Sequence, residues 1–475
     1  MNKSVLPAGS LSFIPYVIKP DFVSGPENEK LRYAAELGRL VVPEKRSDPA
    51  SNTIELAFIR LKSTAKQPGP PLVFLAGGPG IPGTDGTRYE GFVPWLAALR
   101  EVGDVIMLDQ RGTGLSLPRL DCLERWDLPL DQPGSRAELL RIGRERCRAA
   151  AAFWQEQGVD LSGYTTVESA DDVEDLRRAL GVERINLYGA SYGSHLALAT
   201  IKRHGAHISR AIIALVEGLD HTIKLPGNVQ RHLELLNQLV QQDPRLNTRI
   251  PDLLTLMQSV LDRLEAQPVT VEVLNQQTDE PVKVCVGKFD LQLITAQGIG
   301  TRDFISQLPA RYYTMSQGDF SWLAGEVLLS RQAWLDSAMS FVMDCASGLS
   351  EERAARIRQE APNTLLEDCI DLPWPDIADA WGNPDLGPAF RAPFQSEVPA
   401  LFISGTLDGR TPISNAEEVC AGFANGQHLI VNGGTHSTPQ LIHVPGVTRS
   451  MIEFLQGQPI TTLTASTPFA FAPLP

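Results

Sequence analysis

Residues 184–204 read RINLYGASYGSHLALATIKRH, and this stretch decides how the rest of the chain is interpreted. Residues 184–188 predict a strand, and a helix is predicted over 194–204. Between them, residues 189–193 (GASYG) follow the pattern G-x-S-x-G. A sharp turn of this kind between strand and helix exposes the serine hydroxyl above the edge of a sheet, and its glycines let neighbouring backbone pass closely. The pattern makes Ser191 the candidate nucleophile.

Further strands and helices repeat the same local order. Residues 72–76 (LVFLA), 105–108 (VIML) and 211–216 (AIIALV) are short apolar runs without polar alternation, which is typical of strands buried on both faces. Residues 53–62 alternate apolar and polar side chains and predict a half-buried strand, whereas residues 170–180 predict a helix. This order of strand, turn and helix predicts an α/β fold with a doubly wound, mostly parallel sheet.

The α/β pattern stops near residue 220 and resumes with predicted strands at 400–404 and 428–431. The residues between are mostly helical by pattern, apart from a strand-like run at 269–273, and they predict a large helical cap inserted into the α/β core. Residues 1–30 are predicted to form an arm on the surface. The predicted domains are the N-terminal part of the core (1–219), the cap (220–394), the C-terminal part of the core (395–460) and an irregular tail (461–475).

A serine nucleophile needs a general base and an orienting acid. Asp408 follows the strand at 400–404, and His436 follows the strand at 428–431 in a glycine-rich loop. The carboxyl ends of parallel strands meet at one edge of a sheet, which is also where Ser191 is predicted to lie. We therefore predict a catalytic triad of Ser191, Asp408 and His436, in the chain order that accompanies this type of turn.

Backbone N–H groups must stabilise the negative oxygen of a tetrahedral intermediate. One is predicted to come from Tyr192, directly after the nucleophile, and a second from Gly78 in the loop 77–80 (GGPG). A phosphate-binding loop is the alternative for this segment. It is disfavoured because Pro79 and Pro82 lack N–H groups and neither common nucleotide-binding pattern is completed.

The composition argues against several other classes of function. The chain has 475 residues with 56 acidic and 42 basic side chains, a formal net charge of −14, which disfavours binding to nucleic acid or to an anionic membrane surface. No apolar run approaches the roughly 18 residues needed to cross a bilayer. No cluster of cysteine and histidine has the spacing of a zinc site, so no metal or other cofactor is predicted.

Five short segments together resemble a known family. They are AGGPG (76–80), DQRGTGLS (109–116), YGASYGS (188–194), SGTLDGRTP (404–412) and GGTH (433–436). Over residues 30–456 the chain is similar in this way to the α/β-hydrolase peptidase family that contains the proline iminopeptidases and, more closely, the tripeptidyl aminopeptidases. The resemblance implies the α/β-hydrolase fold, the triad and oxyanion donors named above, and a bracing turn around Asp109 and Arg111.

The same resemblance implies an activity. It indicates a serine hydrolase that forms an acyl-enzyme and releases one or a few residues from the free N-termini of peptides. A carboxylic-ester hydrolase is the alternative, because the same triad serves esters and amides. A catalytically inactive binding module is a third hypothesis, which the intact order of the triad disfavours. The expected partner is a small peptide or ester substrate, and the oligomeric state is left open.

An enzyme that acts on free N-termini needs carboxylates that receive the substrate ammonium group. Candidates near the start of the cap are Glu217 and Asp220, and candidates within it are Asp336 and Asp344. An exposed surface position is the alternative for each of them, since Asp and Glu side chains are mostly solvated in folded proteins.

The state of the cysteines depends on the cellular compartment of the protein. Pairing of Cys122 with Cys147 and of Cys345 with Cys369 is expected if the protein is exported, and six reduced thiols are the alternative. The resemblance favours a secreted or periplasmic protein. A cytoplasmic location is the alternative, because the N-terminal residues show no sustained apolar run of the kind found in signal peptides.

Overall fold

A mixed sheet of ten strands forms the centre of the protein, in the order β1-β2-β3-β5-β4-β6-β7-β10-β11-β12, and β8 and β9 form a separate hairpin. The computed structural model describes residues 6–19, 32–88, 91–335 and 337–475. The strands are β1 (Leu11–Ile18), β2 (Tyr33–Pro43), β3 (Thr53–Leu61), β4 (Leu72–Leu75), β5 (Val105–Asp109), β6 (Ile185–Ser191), β7 (Ile208–Val216), β8 (Val269–Asn275), β9 (Glu280–Val286), β10 (Ala400–Gly405), β11 (Gly426–Asn432) and β12 (Thr464–Ser466).

Pairing within the sheet is antiparallel at one side and parallel across the rest. β1, β2, β3 and β5 pair antiparallel in that order. From β5 through β4, β6, β7, β10 and β11 to β12, all neighbours are parallel. Every residue of β4, β5 and β10 is buried, which is why these strands show no polar alternation. The prediction of a mostly parallel α/β sheet is confirmed.

Helices cover both faces of the sheet and form the cap. They are α1 (Phe92–Leu99), α2 (Arg136–Glu156), α3 (Thr166–Ala179), α4 (Tyr192–His204), α5 (Pro226–Gln242), α6 (Leu253–Ala266), α7 (Lys288–Gly298), α8 (Arg302–Ser316), α9 (Ser321–Arg331), α10 (Ala338–Ser347), α11 (Glu351–Glu360), α12 (Gly387–Arg391), α13 (Ile413–Cys420), α14 (Thr438–Ile442) and α15 (Val447–Leu455). α3 begins four residues before the predicted helix because the Thr165 side chain accepts the Glu168 N–H at 3.3 Å and caps the helix there.

Three large apolar clusters and one small one form the interior of the described part of the chain. One face of the sheet packs against α3 and α4, with Leu176 and Leu196 buried there. The other face packs against α1 and α15, with Trp95 and Met451 buried. A third cluster joins α5, α6, α8 and α9. The sheet therefore lies between two helical layers, as doubly wound folds require.

The segment 220–394, predicted as one cap, makes most of its apolar contacts in two of these clusters and forms the small one by itself. Leu233 of α5 and Leu323 of α9 belong to the separate cap cluster. Met339 and Phe341 of α10 pack instead into the cluster on the sheet. α10 therefore lies directly over the core, where it contacts the loop after β4. The domain boundaries themselves stay a prediction.

The prediction of a surface arm is wrong for part of residues 1–30, namely β1. This strand pairs with β2 along the edge of the sheet, and the Phe13 ring packs edge-on against Phe58 at 5.7 Å between centroids. Pro15 interrupts the alternation of side chains and hid the strand in the sequence. Residues 1–5 and 20–30 of the predicted arm lie outside the described part of the chain.

The C-terminal segment 461–475, predicted as an irregular tail, contains the short edge strand β12. It pairs in parallel with β11, and Phe471 is buried further along against the cap cluster. The tail thus connects the edge of the sheet to the cap.

Neither of the expected disulfides is formed in the structure. Cys147, Cys345 and Cys369 carry free thiols, and burial raises the pKa of both Cys345 and Cys369 to about 12. Cys369 belongs to the cap cluster, whereas Cys345 packs against the cluster on the sheet. None of the helices in the described ranges has the length and apolarity needed to span a membrane.

Candidate active site

The turn between β6 and α4 holds Ser191 in a strained backbone conformation. Its φ and ψ are 56° and −128°, which residues with a side chain rarely adopt. A Cβ atom on Gly189 would lie 2.1 Å from the Gly193 carbonyl oxygen, and one on Gly193 would lie 2.0 Å from that of Leu75. Only glycine fits at these two positions, so the G-x-S-x-G pattern is a steric requirement of the turn.

The structure brings Ser191, Asp408 and His436 together. His436 Nε2 lies 3.0 Å from Ser191 Oγ, and His436 Nδ1 lies 2.9 Å from Asp408 Oδ2. An ionised carboxylate only accepts hydrogen bonds, so Nδ1 carries the proton and Nε2 is left as the acceptor that faces the serine. This is the tautomer in which a histidine can remove a proton from serine.

Asp408 is buried and heavily hydrogen-bonded. Oδ1 accepts the N–H groups of Arg410 at 2.9 Å and Thr411 at 2.8 Å, and Oδ2 accepts the Thr411 hydroxyl at 2.7 Å. Burial alone would raise the pKa of this carboxyl, but His436 and these hydrogen bonds outweigh it and hold the pKa below its usual value. Asp408 is therefore ionised at neutral pH.

The cap contributes to the position of the base. The backbone N–H of His436 donates to the backbone carbonyl of Gly300, just after α7, at 2.9 Å. The Thr411 hydroxyl also lies 3.1 Å from His436 Nδ1, between acid and base. Neither contact was predicted from the sequence. Thr411 follows Asp408 closely in a turn, which is a detectable signal, whereas nothing in the sequence connects Gly300 with His436.

The predicted oxyanion donors lie on either side of Ser191. A Cβ on Gly77 would be 3.1 Å from Ser191 Cβ, so the loop containing Gly78 passes directly beside the nucleophile. The Gly78 N–H has no acceptor among the described residues. Tyr192 begins α4, where backbone N–H groups have no partner within the helix. Both groups are thus available to a ligand oxygen, and their role stays a prediction.

Two contacts hold this loop in place. The Ser340 hydroxyl of α10 donates to the Pro79 carbonyl at 2.7 Å, and the Gln110 side-chain amide donates to the Ala76 carbonyl at 3.0 Å.

Gln110 belongs to the turn around Asp109 and Arg111. Burial raises the pKa of Asp109 to about 6, although the carboxylate accepts three hydrogen bonds from Thr84 and Leu115. The buried Arg111 guanidinium forms two hydrogen bonds to Asp172.

A buried acidic cluster lies beside the nucleophile turn. Glu217, only 3% exposed, follows Val216, the backbone partner of Ser191 in the sheet. Its Oε2 lies 3.2 Å from Lys224 Nζ, which is also 3.7 Å from Asp371 Oδ1. Burial would raise the pKa of Glu217, but Lys224, His195 and Arg410 together outweigh it and lower the pKa, so Glu217 is ionised.

Asp344 completes this cluster. It follows Met343, whose sulfur lies 3.3 Å from the Tyr192 hydroxyl. Its Oδ1 is buried without a hydrogen-bond partner among the described residues. Burial and then the nearby Glu217 raise its pKa well above the usual value, against an opposing effect of Lys224. The cluster therefore holds three carboxyl groups and one lysine, with one carboxyl oxygen left unsatisfied.

The four predicted candidates for an ammonium site thus lie in different places. Glu217 and Asp344 lie together in the buried cluster. Asp220 instead accepts the N–H and hydroxyl of Ser350 at 2.7 and 2.6 Å at the start of α11. Asp336 lies outside the described residues. Lys224 and Asp371 were not predicted from the sequence, because nothing in the sequence indicates that this lysine is packed between two carboxylates.

No cluster of metal-binding side chains occurs among the described residues, with at least three His, Cys, Asp or Glu as the criterion. The chemistry available to the site is that of a serine hydroxyl beside an imidazole and a buried carboxylate. This arrangement suits nucleophilic attack on a carbonyl group.

Comparison with known proteins identifies the family. The profile described as alpha/beta hydrolase fold matches residues 70–439. The chain belongs to the α/β-hydrolase fold family, and the predicted fold class is confirmed.

Several curated relatives share part of this chain. Putative hydrolase YuaR of Escherichia coli (strain K12) is 26% identical over 193 residues, covering 38% of this chain and 36% of the relative. A tripeptidyl aminopeptidase of Streptomyces coelicolor is 27% identical over 190 residues, covering 38% and 34%. A probable proline iminopeptidase of the same species is 30% identical over 145 residues, covering 30% and 32%. The matches span about a third of each relative, and the names of the last two confirm the resemblance found in the sequence.

Solved structures of the same fold are also similar. The crystal structure of proline iminopeptidase from Mycobacterium smegmatis has a TM-score of 0.41 and 17% identity, covering 88% of this chain and 98% of that chain. A thermophilic esterase from Thermogutta terrifontis has a TM-score of 0.35 and 16% identity, with 88% and 98% coverage.

Proposed function

We propose that this protein is a serine hydrolase that cleaves residues from free peptide N-termini through an acyl-enzyme. The observation that carries the hydrolase part is the pair of contacts from His436, at 3.0 Å to Ser191 Oγ and 2.9 Å to Asp408 Oδ2. Three side chains far apart in the chain meet in the geometry of a proton relay. The names of two relatives, tripeptidyl aminopeptidase and proline iminopeptidase, point to the same reaction class.

The proposed reaction begins with attack of Ser191 Oγ on the substrate carbonyl. His436 Nε2 takes the hydroxyl proton, and Asp408 stabilises the imidazolium that forms. The N–H groups of Gly78 and Tyr192 receive the negative oxygen. His436 then gives the proton to the leaving amine, an acyl-enzyme remains, and a water molecule repeats the sequence and releases the acid.

The preference for free N-termini rests on the acidic cluster. A substrate ammonium group is a cation that carboxylates can bind. Glu217 directly follows Val216, which pairs with Ser191 in the sheet, and Asp344 directly follows Met343, which contacts the Tyr192 hydroxyl. The single positive charge of Lys224 offsets only part of the negative charge that the three carboxyl groups can carry. Oδ1 of Asp344 has no partner among the described residues, so it is free to accept a hydrogen bond from an ammonium group.

The test compares peptide anilides with free and acetylated N-termini, together with simple aryl esters. Cleavage of the free peptides, with at least a tenfold loss on acetylation, is the expected result. Cleavage of esters alone, or equal rates on free and acetylated peptides, would contradict the peptidase proposal. Cleavage of the aryl esters without cleavage of any peptide would instead identify a carboxylic-ester hydrolase.

Replacing Glu217 by glutamine is expected to lower kcat/KM for free peptides by roughly 10- to 100-fold, because a charge-assisted hydrogen bond contributes about 1.5–3 kcal/mol. The change keeps the size of the side chain and leaves Lys224 beside Asp371. Rates on aryl esters, which carry no ammonium, should change by less than about threefold. Steady-state kinetics on both substrates measures the difference.

Asp220→Asn is the matched control for Glu217→Gln. It removes a nearby acidic charge that is engaged by Ser350 rather than by the cluster. Its kcat/KM for free peptides should stay within about threefold of the wild type. Equal losses for both variants would show that general electrostatics, not the cluster, recognises the substrate.

Replacing Asp344 by asparagine is expected to change how KM depends on pH. The raised pKa keeps the Asp344 carboxyl neutral at acidic pH, and ionisation as pH rises adds a negative charge for the substrate ammonium. KM for free peptides should therefore fall as pH rises through that pKa, until the substrate amine itself loses its proton. In Asp344→Asn this fall should be absent. The same fall in both proteins would exclude Asp344 from substrate binding.

A further inference from the structure

A cavity of about 200 Å³ lies between the cap and the start of α2. Aromatic and aliphatic side chains form most of its lining, among them Trp126, Leu293, Phe341 and Trp374. Binding cavities of this composition favour apolar groups, because burial of apolar surface supplies the free energy while a few polar atoms fix orientation.

The outer wall of the cavity is a loop held by a buried ion pair. Arg331 Nη2 lies 2.7 Å from Asp290 Oδ1. Arg331 donates to the carbonyl of Gln132, and Asp290 accepts the N–H of Gly134 at 2.9 Å. A buried ion pair contributes little net stability, but it fixes the loop that it binds. The cavity thus has a preformed wall in a segment without regular secondary structure.

Two lining residues lie close in the chain to residues that contact the catalytic site. Gln297 lies one helical turn before Gly300, which binds the His436 N–H. Phe341 follows Ser340, which binds the Pro79 carbonyl. Two segments that line the cavity therefore also contact the base and the predicted oxyanion loop.

Trp374 connects the cavity to the acidic cluster. It lines the cavity and stacks on Phe341 at 4.4 Å between ring centroids. Asp344 lies three residues after Phe341 on α10, so the two side chains project from the same face of that helix. Neither Trp374 Nε1 nor Asp344 Oδ1 has a hydrogen-bond partner of good geometry among the described residues. An unsatisfied carboxyl oxygen thus lies on α10, about one helical turn from a residue that lines the apolar cavity.

We propose that this cavity binds the side chain of the substrate's N-terminal residue and selects large apolar residues, aromatic or branched aliphatic. The proposal rests on the proposed function, because it takes Asp344 as a ligand of the ammonium group. The ammonium and the side chain of an N-terminal residue are attached to the same Cα, so their binding sites must be adjacent. Asp344 and the lining residue Phe341 are neighbours on α10, and Trp374 stacks on Phe341 in the cavity.

The size of the cavity agrees with this substrate class. An apolar cavity of about 150 Å³ in another protein binds benzene. A volume of about 200 Å³ therefore accommodates the ring of phenylalanine or the side chain of leucine. Glycine and alanine would leave most of it empty, and a charged side chain would lose its hydration there.

The first experiment measures kcat/KM for free peptide anilides of one, two and three residues that differ only at the N-terminal residue: Gly, Ala, Asp, Leu or Phe. Leu and Phe should exceed Gly by about 10-fold or more, as expected for full burial of such side chains. A flat profile, or a preference for Gly or Asp, would overturn the proposal.

Ser330→Phe tests the location. Ser330 lines the cavity from α9, and a phenyl ring there should occupy the space and reduce the Phe-to-Gly ratio of kcat/KM by at least about fivefold. Leu329→Phe is the matched control, because Leu329 is the exposed neighbour on the same helix. Its ratio should stay at the wild-type value. An unchanged ratio in Ser330→Phe would place the selective pocket elsewhere.

Binding without turnover separates this proposal from the proposed function. Phenylalaninamide and glycinamide are titrated by calorimetry into the Ser191→Ala protein, with and without Ser330→Phe. Binding of phenylalaninamide about 10-fold tighter than glycinamide, lost in Ser330→Phe, supports the cavity even if no peptide is cleaved. Equal affinities for the two amides would overturn it even if peptides are cleaved.

Discussion

Replacing Ser191 by alanine should lower kcat by at least about 10⁴-fold on any amide or ester substrate, since loss of a nucleophile of this kind has effects of that order or larger. The Ser191 side chain is small, and its Oγ bonds only to His436 among the described residues. Its removal therefore leaves the packing of the turn intact, and the melting temperature should stay within a few degrees. Kinetics, thermal unfolding and labelling by a fluorophosphonate probe measure the three outcomes.

Ser194→Ala is the control that shows whether loss of probe labelling is specific to removal of the Ser191 hydroxyl. Ser194 lies one turn further along α4, where its hydroxyl donates to the Ser191 carbonyl at 2.6 Å and accepts the Glu217 N–H at 2.8 Å. This variant should lose stability, because two buried hydrogen bonds are removed, but it should still react with the probe. Probe labelling that persists in Ser191→Ala, or near-normal turnover, would mean that another residue is the nucleophile.

The residues brought together at the sheet edge were predictable because each follows a strand whose end is marked locally. Ser191 stands between glycines that close contacts with backbone oxygens require. Asp408 and His436 follow β10 and β11, and parallel neighbours carry such residues to the same edge. In a parallel sheet, local sequence at strand ends therefore determines much of the site.

The parts of the site that depend on the cap were not predictable in the same way. The hydrogen bond from His436 to Gly300 joins two segments whose approach is set by cap packing. Lys224 is buried between Glu217 and Asp371, and a lysine in the sequence carries no sign of this burial. β1 was missed for a local reason, since Pro15 breaks the alternation that identifies an edge strand.

Asp408→Asn should lower kcat by about 10⁴-fold at neutral pH while the contacts around residue 408 persist. The asparagine oxygen can still accept the N–H groups of Arg410 and Thr411 that now bind Oδ1. Its amide nitrogen would then face His436 Nδ1 as a donor. That contact favours the tautomer with the proton on Nε2, which can no longer accept the Ser191 proton.

A comparison with Thr411→Val separates this effect from a general loss of hydrogen bonding. Thr411→Val removes the hydroxyl that lies between Asp408 Oδ2 and His436 Nδ1 but retains the carboxylate and its charge. Its kcat should fall by only about fivefold, because one hydrogen bond contributes about 1 kcal/mol and the tautomer is unchanged. If Asp408→Asn lost no more activity than Thr411→Val, the group that orients His436 would have to be a different acid. The 2.9 Å contact between His436 and Asp408 would then be structural rather than catalytic.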